Sequence, residues 1–318
     1  MFVPSNLNRF PSNPPPTPLV PIRLSPESPL IYCKLDFLNP SGSTKDRIAR
    51  YILEKALRDG RVKPGGTVIE ASSGSTSIAM ALTCAQLGLR FIAVMPEGVS
   101  NERVLMIRAY GGGIHFTPRA EGVREAIRRS ERLASNTDAF LPCQFANPEN
   151  ASAHEFGTAR EILNQLSNGR VDAVVSGVGT GGTLVGLYRG FAGSGHPVRP
   201  VLARPVNLTR SREEECCSFS CRIPGVVDSI STIFHAADFP NLITVEVDDR
   251  EAIQVTRQLI GMGFPVGPSS GLNYRAAMIA SQQLDRQLHP DATIVTVFPD
   301  RMERYFTTDL FQPFLLEI

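Results

Sequence analysis

The sequence of 318 residues has no excess of either charge and no long apolar run. It carries 32 Lys and Arg against 31 Asp and Glu, which gives a formal net charge of +1. A nucleic acid or an anionic membrane would favour a strongly basic surface, so neither is expected as a partner. The apolar runs are too short to cross a bilayer, and residues 1–4 lack the charged start and apolar middle of a secretory signal. The predicted location is therefore the cytosol.

Histidine and cysteine are also sparse. The five histidines show neither a Ser/His/Asp arrangement nor the spacing of metal ligands, so we predict no metal site and no hydrolytic triad. Three of the six cysteines, Cys216, Cys217 and Cys221, lie close together in a stretch rich in Glu and Ser. No second cluster with histidine at ligand spacing accompanies them. We interpret the stretch as a surface loop, with a metal or redox site as the alternative.

The overall composition is that of an ordinary soluble protein. Hydrophobic residues make up 42% of the chain, which is enough for one large or two modest domains. Residues 1–16 are rich in proline and are predicted to form a disordered tail. Strand-like runs alternate with helical patterns from residue 39 to about 149, and a second such series begins near residue 150. This alternation predicts two α/β halves with parallel sheets and a ligand cleft between them. Among the predicted helices are those over 75–87, 150–166, 249–261 and 271–288.

The stretch from Asn39 to Arg47, NPSGSTKDR, places a lysine where a short apolar strand leads into a helix. The helix is predicted to begin near Asp46, so Lys45 lies beside the positive end of its dipole and beside unpaired N–H groups. Both effects lower the pKa of the amine. A neutral amine can form an imine with an aldehyde. The residues alone leave a solvated lysine in a Ser/Gly loop open as the alternative.

A glycine-rich turn over 177–183, GVGTGGT, follows an apolar strand and precedes a helix. Glycines let the backbone wrap an anion, which the exposed N–H groups, the helix dipole and the threonine hydroxyls attract. The spacing is neither that of a Walker loop nor a dinucleotide fingerprint, and a tight turn would need glycine in any case. We interpret the turn as a candidate phosphate cradle made of Gly179, Thr180, Gly181, Gly182 and Thr183.

Together these stretches resemble the motifs of the cysteine synthase and cystathionine β-synthase family of fold-type II pyridoxal phosphate enzymes. The glycine turn matches the family's cofactor loop nearly residue for residue, and the resemblance covers nearly the whole chain after about residue 17. It implies a tryptophan synthase β-like fold of two three-layer α/β domains, each with a mostly parallel sheet, and pyridoxal 5′-phosphate in the cleft between them. The smaller, mobile domain would span 39–149, and the larger cofactor-binding domain 17–38 plus 150–318. Family members are commonly homodimers.

The resemblance also implies roles for individual residues. Lys45 would hold the cofactor as an internal aldimine and then act as the catalytic base at the substrate Cα. Ser269 corresponds to the family serine that hydrogen-bonds the pyridine nitrogen. The turn over 70–76, EASSGST, matches the loop that binds the substrate α-carboxylate, and Ser75 stands where the family has an asparagine that faces the cofactor's 3′-oxygen. Helix capping by the serines is the alternative at these turns. The expected substrate-binding residues are Ser72, Ser73, Gly74, Thr76 and Gln144.

A serine beside the pyridine nitrogen cannot keep it protonated, which favours β-elimination and β-replacement over transamination. The resemblance implies β-replacement on an activated L-serine, O-acetylserine or O-phosphoserine, through an aminoacrylate intermediate, with sulfide adding to give L-cysteine. The alternatives are a cysteine desulfhydrase, a diaminopropionate-type synthase with an amine nucleophile, and a cofactor-bearing binding protein without turnover. The polar run over 299–305, PDRMERY, resembles a C-terminal motif of the family and is interpreted as a closing loop or a subunit contact.

Overall fold

The structure is a computed structural model, and it describes residues 15–72, 74–206, 223, 225–226, 230–284 and 292–315. Most of the predicted N-terminal tail therefore lies outside the described residues, as do Ser73 and the cluster of Cys216, Cys217 and Cys221. Within the described ranges, no helix is both long and apolar enough to cross a membrane.

The described strands form a six-stranded and a three-stranded sheet. In chain order the strands are β1 Leu19–Ile22, β2 Ile31–Lys34, β3 Thr67–Ala71, β4 Arg90–Pro96, β5 Gly113–Thr117, β6 Ala173–Gly177, β7 Arg199–Val206, β8 Ile243–Asp248 and β9 Ile294–Val297. The larger sheet has the order β1-β2-β9-β6-β7-β8 and is parallel apart from the antiparallel pair β1–β2. The smaller sheet, β3-β4-β5, is fully parallel.

Helices cover both faces of each sheet. In chain order they are α1 Lys45–Arg58, α2 Ser75–Leu87, α3 Asn101–Ala109, α4 Gly122–Thr137, α5 Glu149–Ala153, α6 Ala159–Gln165, α7 Gly182–Ala192, α8 Asp249–Gly261, α9 Pro268–Leu284 and α10 Gln312–Leu315. A π-helical turn, His154–Thr158, joins α5 to α6, and single turns of 3₁₀ helix occupy Asp36–Leu38, Arg119–Glu121, Ala236–Asp238 and Met302–Tyr305.

The core of the larger sheet explains why its strands are continuous apolar runs in the sequence. Val175 packs with α8 and α9 on one face, whereas the preceding Val174 packs with α6 and α7 on the other. Successive side chains of a strand point to opposite faces, so a strand that is covered on both sides needs apolar residues throughout. In the smaller sheet, Phe91 packs with α1 and α2, and Val94 packs with α4. Both sheets are thus the middle layer of three, as the predicted fold class requires.

The predicted helices are present with two differences. The helices over 75–87 and 249–261 have the predicted bounds. The helix predicted over 150–166 is instead α5, the π turn and α6, since a hydrophobic period does not record a change of hydrogen-bond register. The helix predicted from residue 271 begins at Pro268, because proline suits the first turn of a helix. Its described part ends at Leu284.

The two sheets take their strands from different parts of the chain. Strands β3 to β5 lie within 39–149, and the other six lie within 17–38 and 150–318. We keep the division into a smaller, mobile domain and a larger one as a proposal, which the separate sheets support.

Candidate active site

A single pocket collects residues from the ends of both sheets. Its wall includes the starts of α1 and α2, the glycine turn before α7, the start of α9 and the segment after β9. Gly74 and Gly182 adjoin wall residues in the chain without lining the pocket themselves. The sequence-predicted residues that line it are Lys45, Ser72, Ser75, Thr76, Gln144, Gly179, Thr180, Gly181, Thr183 and Ser269.

Lys45 is the first residue of α1 and faces this pocket. Burial lowers the pKa of the amine, and the negative charges of Asp300 and Asp36 act in the opposite direction. The direction of the pKa shift agrees with the sequence prediction. Its main cause, however, is desolvation by the surrounding protein and not the helix dipole.

The loop that carries Lys45 is fixed by buried hydrogen bonds. The Asp46 carboxylate accepts from the backbone N–H of Ser41 at 2.9 Å and from its hydroxyl at 2.5 Å. From the other side, the guanidinium of Arg304 donates to the carbonyls of Gly42 at 2.8 Å and Ser41 at 2.7 Å. Arg304 is 2% exposed. These hydrogen bonds stabilise the conformation of the loop from both sides.

The glycine turn ends in the first turn of α7, and its shape depends on close contacts. Gly181 has φ 81°, in the left-handed region, and a Cβ there would lie 2.5 Å from Cβ of Phe234. The hydroxyl of Thr180 accepts a hydrogen bond of 3.0 Å from Nδ2 of Asn150. Backbone N–H groups at the start of a helix, together with threonine hydroxyls, form a donor set that suits a phosphate.

A buried histidine lies behind the glycine turn. Nε2 of His154 is 3.3 Å from the Thr183 hydroxyl, and Nδ1 is 2.9 Å from the Thr158 hydroxyl. The pKa of His154 is lowered to about 3, mainly by burial; the negative charge of Asp36 acts against this shift, and the positive charges of Lys45 and Arg47 add to it. His154 is therefore neutral at physiological pH and orients a threonine hydroxyl without adding charge.

The loop over 70–76 and Gln144 bind each other. The Thr76 hydroxyl donates to Oε1 of Gln144 at 2.6 Å, and Nε2 of Gln144 donates to the Ala71 carbonyl at 2.5 Å. The Glu70 carboxyl accepts from the backbone N–H groups of Ala71 at 2.9 Å and Gln144 at 3.1 Å. Two side chains that the resemblance assigns to the substrate carboxylate thus also shape the loop itself.

Ser75 contacts a residue that the sequence analysis did not assign. Its hydroxyl donates to Oδ2 of Asp300 at 3.1 Å, and the Tyr305 hydroxyl donates to the same oxygen at 2.6 Å. The guanidinium of Arg103 stacks over the Tyr305 ring at 5.2 Å. Asp300 and Tyr305 belong to the polar run over 299–305, so the sequence did contain a motif that pointed to them. No such motif pointed to Asn150 and Arg103, whose contacts with Thr180 and Tyr305 join distant parts of the chain.

A family model described as "Pyridoxal-phosphate dependent enzyme" matches residues 12–300 of this chain. The chain belongs to this family. Lys45 places an amine on the wall of the pocket. No cluster of three or more metal-ligating side chains occurs in the part of the chain that the structure describes.

Relatives and solved structures place the protein more narrowly within this family of pyridoxal-phosphate dependent enzymes. It is 38% identical to cysteine synthase B of Campylobacter jejuni over 88% of this chain and 91% of the relative. A hydrogen sulfide-producing enzyme from Fusobacterium nucleatum aligns with a TM-score of 0.81 and 34% identity, over 92% of this chain and 87% of the other. O-ureido-L-serine synthase aligns with a TM-score of 0.81 and 31% identity, over 93% and 92%. The protein is thus a pyridoxal phosphate enzyme of fold type II, and these relatives support chemistry on serine derivatives.

The pocket of this pyridoxal-phosphate dependent enzyme fits the cofactor by the chemistry of its donors. A buried amine with a lowered pKa suits the aldehyde. The glycine turn, which a Cβ at Gly181 would obstruct, suits the phosphate. The half-buried hydroxyl of Ser269, in the first turn of α9, is available for a neutral ring nitrogen. We propose these three contacts as the points of attachment.

Proposed function

We propose that the protein catalyses β-replacement on an activated L-serine, O-acetylserine or O-phosphoserine, with sulfide as the nucleophile and L-cysteine as the product. The observation that carries this proposal is the single pocket in which Lys45, the glycine turn and the hydroxyl-rich turn at the start of α2 face one another. The likeness to cysteine synthases supports the choice of sulfide. We further propose a homodimer located in the cytosol.

Bound pyridoxal phosphate would supply the electron sink that lets the Cα–H bond of the substrate break and the β-substituent leave. Lys45 would bind the aldehyde carbon and, once the substrate amine replaces it, would act as the base at Cα. Burial lowers the pKa of Lys45, which favours the neutral amine that can accept a proton. Thr180 and Thr183 would orient the phosphate through their hydroxyls.

The substrate would bind with its α-carboxylate at the start of α2. Ser72 and Thr76 line this side of the pocket, and Ser72 Oγ accepts from the backbone N–H of Gly74 at 3.0 Å, which holds the turn in place. Gln144 supports the turn through its bond to Thr76. We propose that the smaller domain closes over the bound carboxylate and excludes water, which would protect the reactive species from hydrolysis.

The first test of this proposal is chemical. Borohydride treatment of the purified protein with pyridoxal phosphate should fix the cofactor on the peptide that contains Lys45, as read by mass spectrometry. Lys45→Ala should abolish the modification, and Lys63→Ala, which removes an exposed lysine, should leave it unchanged. With sulfide added, wild type should form L-cysteine from O-acetylserine or O-phosphoserine. Colourless protein without modification at Lys45 would contradict the proposal.

Elimination is the second candidate function, and the likeness to a hydrogen sulfide-producing enzyme favours it. In that case Lys45 and the substrate loop would act as above, and L-cysteine would yield pyruvate, ammonia and sulfide. Assays of sulfide release from cysteine and of cysteine formation, run on the same preparation, separate the two. An amine in place of sulfide, which would give a diaminopropionate-type product, is tested in the same assay by product mass.

A further inference from the structure

Asp300 is a buried carboxylate on the pocket wall, 6% exposed, in the segment directly after β9. Its Oδ2 accepts the hydroxyls of Tyr305 and Ser75, and Nη1 of Arg304 lies 3.7 Å from the same oxygen. Its Oδ1 is buried and accepts no hydrogen bond from the described residues. Leaving a buried acceptor unsatisfied is unfavourable. The geometry therefore keeps a negative group on the pocket wall that its own neighbours do not fully use.

Backbone hydrogen bonds attach this carboxylate to the lysine loop. Ser43 and Asp300 are partners in an antiparallel bridge, and the N–H of Thr44 donates to the carbonyl of Pro299 at 2.7 Å. Lys45 follows directly and lines the same pocket. The register of the two segments thus sets the position of the carboxylate relative to the amine.

We propose that Asp300 is a positioning residue that stabilises the charged form of Lys45 during proton transfer. The proposal rests on the role of Lys45 as the base in the proposed function. When the neutral amine takes the Cα proton, the C–H bond breaks, an N–H bond forms, and the electron pair of the broken bond stays with the substrate. Lys45 gains one positive charge in a pocket where burial disfavours charge. Asp300 supplies the opposite charge there.

Other charged groups act on the same amine. Asp36 also raises the pKa of Lys45, but Arg47 lies 2.8 Å from its Oδ1 and offsets its charge. His154 lies behind the glycine turn and is neutral at physiological pH, since its pKa is about 3. Asp300 remains the carboxylate that lines the pocket together with Lys45.

Positive groups also face Asp300 itself. Arg304 reaches it from its own segment at 3.7 Å, and Arg103 of α3 stacks over Tyr305, whose hydroxyl binds Asp300. Arg304 lies farther from Asp300 (3.7 Å) than Arg47 lies from Asp36 (2.8 Å), so it offsets the charge of Asp300 less than Arg47 offsets that of Asp36.

The test uses Asp300→Asn, which keeps the shape of the side chain and removes its charge. Competitive trace labelling of the apoenzyme with an amine-reactive reagent, over a pH series, reads the pKa of Lys45 from the mass spectrum of its peptide. We expect this pKa to fall by about one unit or more in the variant, because an opposite charge is lost. In the holoenzyme, exchange of the Cα proton of L-alanine in D₂O, followed by NMR, should slow by about tenfold or more.

Two controls separate charge from structure. Asp59→Asn removes an exposed carboxylate at the far end of α1, 3.4 Å from Lys55, and should change neither readout. Tyr305→Phe removes one hydrogen bond but keeps the charge of Asp300, so it should shift the pKa of Lys45 much less than Asp300→Asn. If Asp300→Asn does not fold, Asp300→Ser takes its place with the same expected shift.

The results that would refute the role of Asp300 differ from those that would refute the proposed function. If wild type carries the cofactor on Lys45 and exchanges the Cα proton, but the pKa of Lys45 and the exchange rate are unchanged in the Asp300 variants, the role of Asp300 is refuted and the proposed function stands. Equal shifts in the Asp300 variants and in Tyr305→Phe would also refute it, since structural disturbance would then be the cause. A wild type without cofactor on Lys45 refutes the proposed function itself.

Discussion

Nδ2 of Asn150 donates a hydrogen bond of 3.0 Å to the hydroxyl of Thr180, and the same nitrogen donates to the carbonyl of Gln144 at 2.8 Å. One buried amide thus joins the glycine turn to the residue that supports the substrate loop. The proposed phosphate cradle and the proposed carboxylate site are therefore mechanically connected through α5, where Asn150 lies.

Replacement of Asn150 by alanine should weaken cofactor binding. The change leaves the Gln144 carbonyl and the Thr180 hydroxyl without this donor, and a buried unsatisfied group costs about 1–3 kcal/mol. We expect the dissociation constant for pyridoxal phosphate to rise by about tenfold, measured by titration of the apoenzyme. In a double-mutant cycle with Thr180→Val, the two effects should be less than additive. Full additivity would show that the Asn150–Thr180 bond does not matter.

Replacement of Gly181 by alanine should damage the glycine turn. Its backbone has φ 81°, and the new Cβ would lie 2.5 Å from Phe234. Gly60 is the matched control, with φ 73° and nothing within 4 Å of an added Cβ. Both variants carry the left-handed backbone penalty of about 1–2 kcal/mol, but only Gly181→Ala adds a clash. We expect a larger loss of unfolding free energy in urea and weaker cofactor binding for Gly181→Ala. Equal behaviour of the two variants would contradict this prediction.

Glu70 should make stability depend on pH. Burial raises the pKa of its carboxyl from 4.5 to about 8. Between these pH values the folded protein holds a proton that the unfolded chain has released. The stabilisation from this group is therefore complete below about pH 4.5 and is lost as the pH rises through about 8.

Glu70→Gln removes the titration while keeping the size of the side chain. The free energy of unfolding of this variant relative to wild type should increase with pH over that range, by at most about 1.4 kcal/mol per pH unit. Urea denaturation at several pH values measures the difference. A constant difference between the two proteins would mean that the Glu70 carboxyl is ionised in the folded state.

Replacement of Arg304 should affect stability much more than replacement of Arg301, although both lie in the segment after β9. Arg304 is 2% exposed and holds two carbonyls of the lysine loop, so Arg304→Gln should cost about 2–4 kcal/mol and slow attachment of the cofactor to Lys45. Arg301 pairs with Glu303 at the surface, and Arg301→Gln should change stability by at most about 1 kcal/mol. Chemical denaturation and the rate of borohydride-trapped cofactor attachment measure the two effects. Similar losses in both variants would contradict a special role for Arg304.

The three turns with proposed functions could be found in the sequence because each is contiguous. A lysine before a helix, glycines after an apolar strand and serines before a helix each combine backbone donors with a fixed local geometry. The strand and helix periods likewise gave the layers, since burial on both faces of a strand needs apolar residues at successive positions. The predicted helix bounds were wrong where the hydrophobic pattern carries no information on hydrogen-bond register, as at the π turn of His154–Thr158.

The sequence by itself determined the three-layer α/β architecture, the family and the place of Lys45 at the start of a helix, because these depend on short-range patterns. Tertiary structure decided what surrounds that lysine. The Ser75 hydroxyl points to Asp300, 225 positions away, and Thr76 binds Gln144, 68 positions away. Desolvation, which is the main cause of the lowered pKa of Lys45, also arises only when distant segments pack around it. Burial and hydrogen-bond partners depend on contacts between elements that are remote in the chain, and no local pattern encodes them.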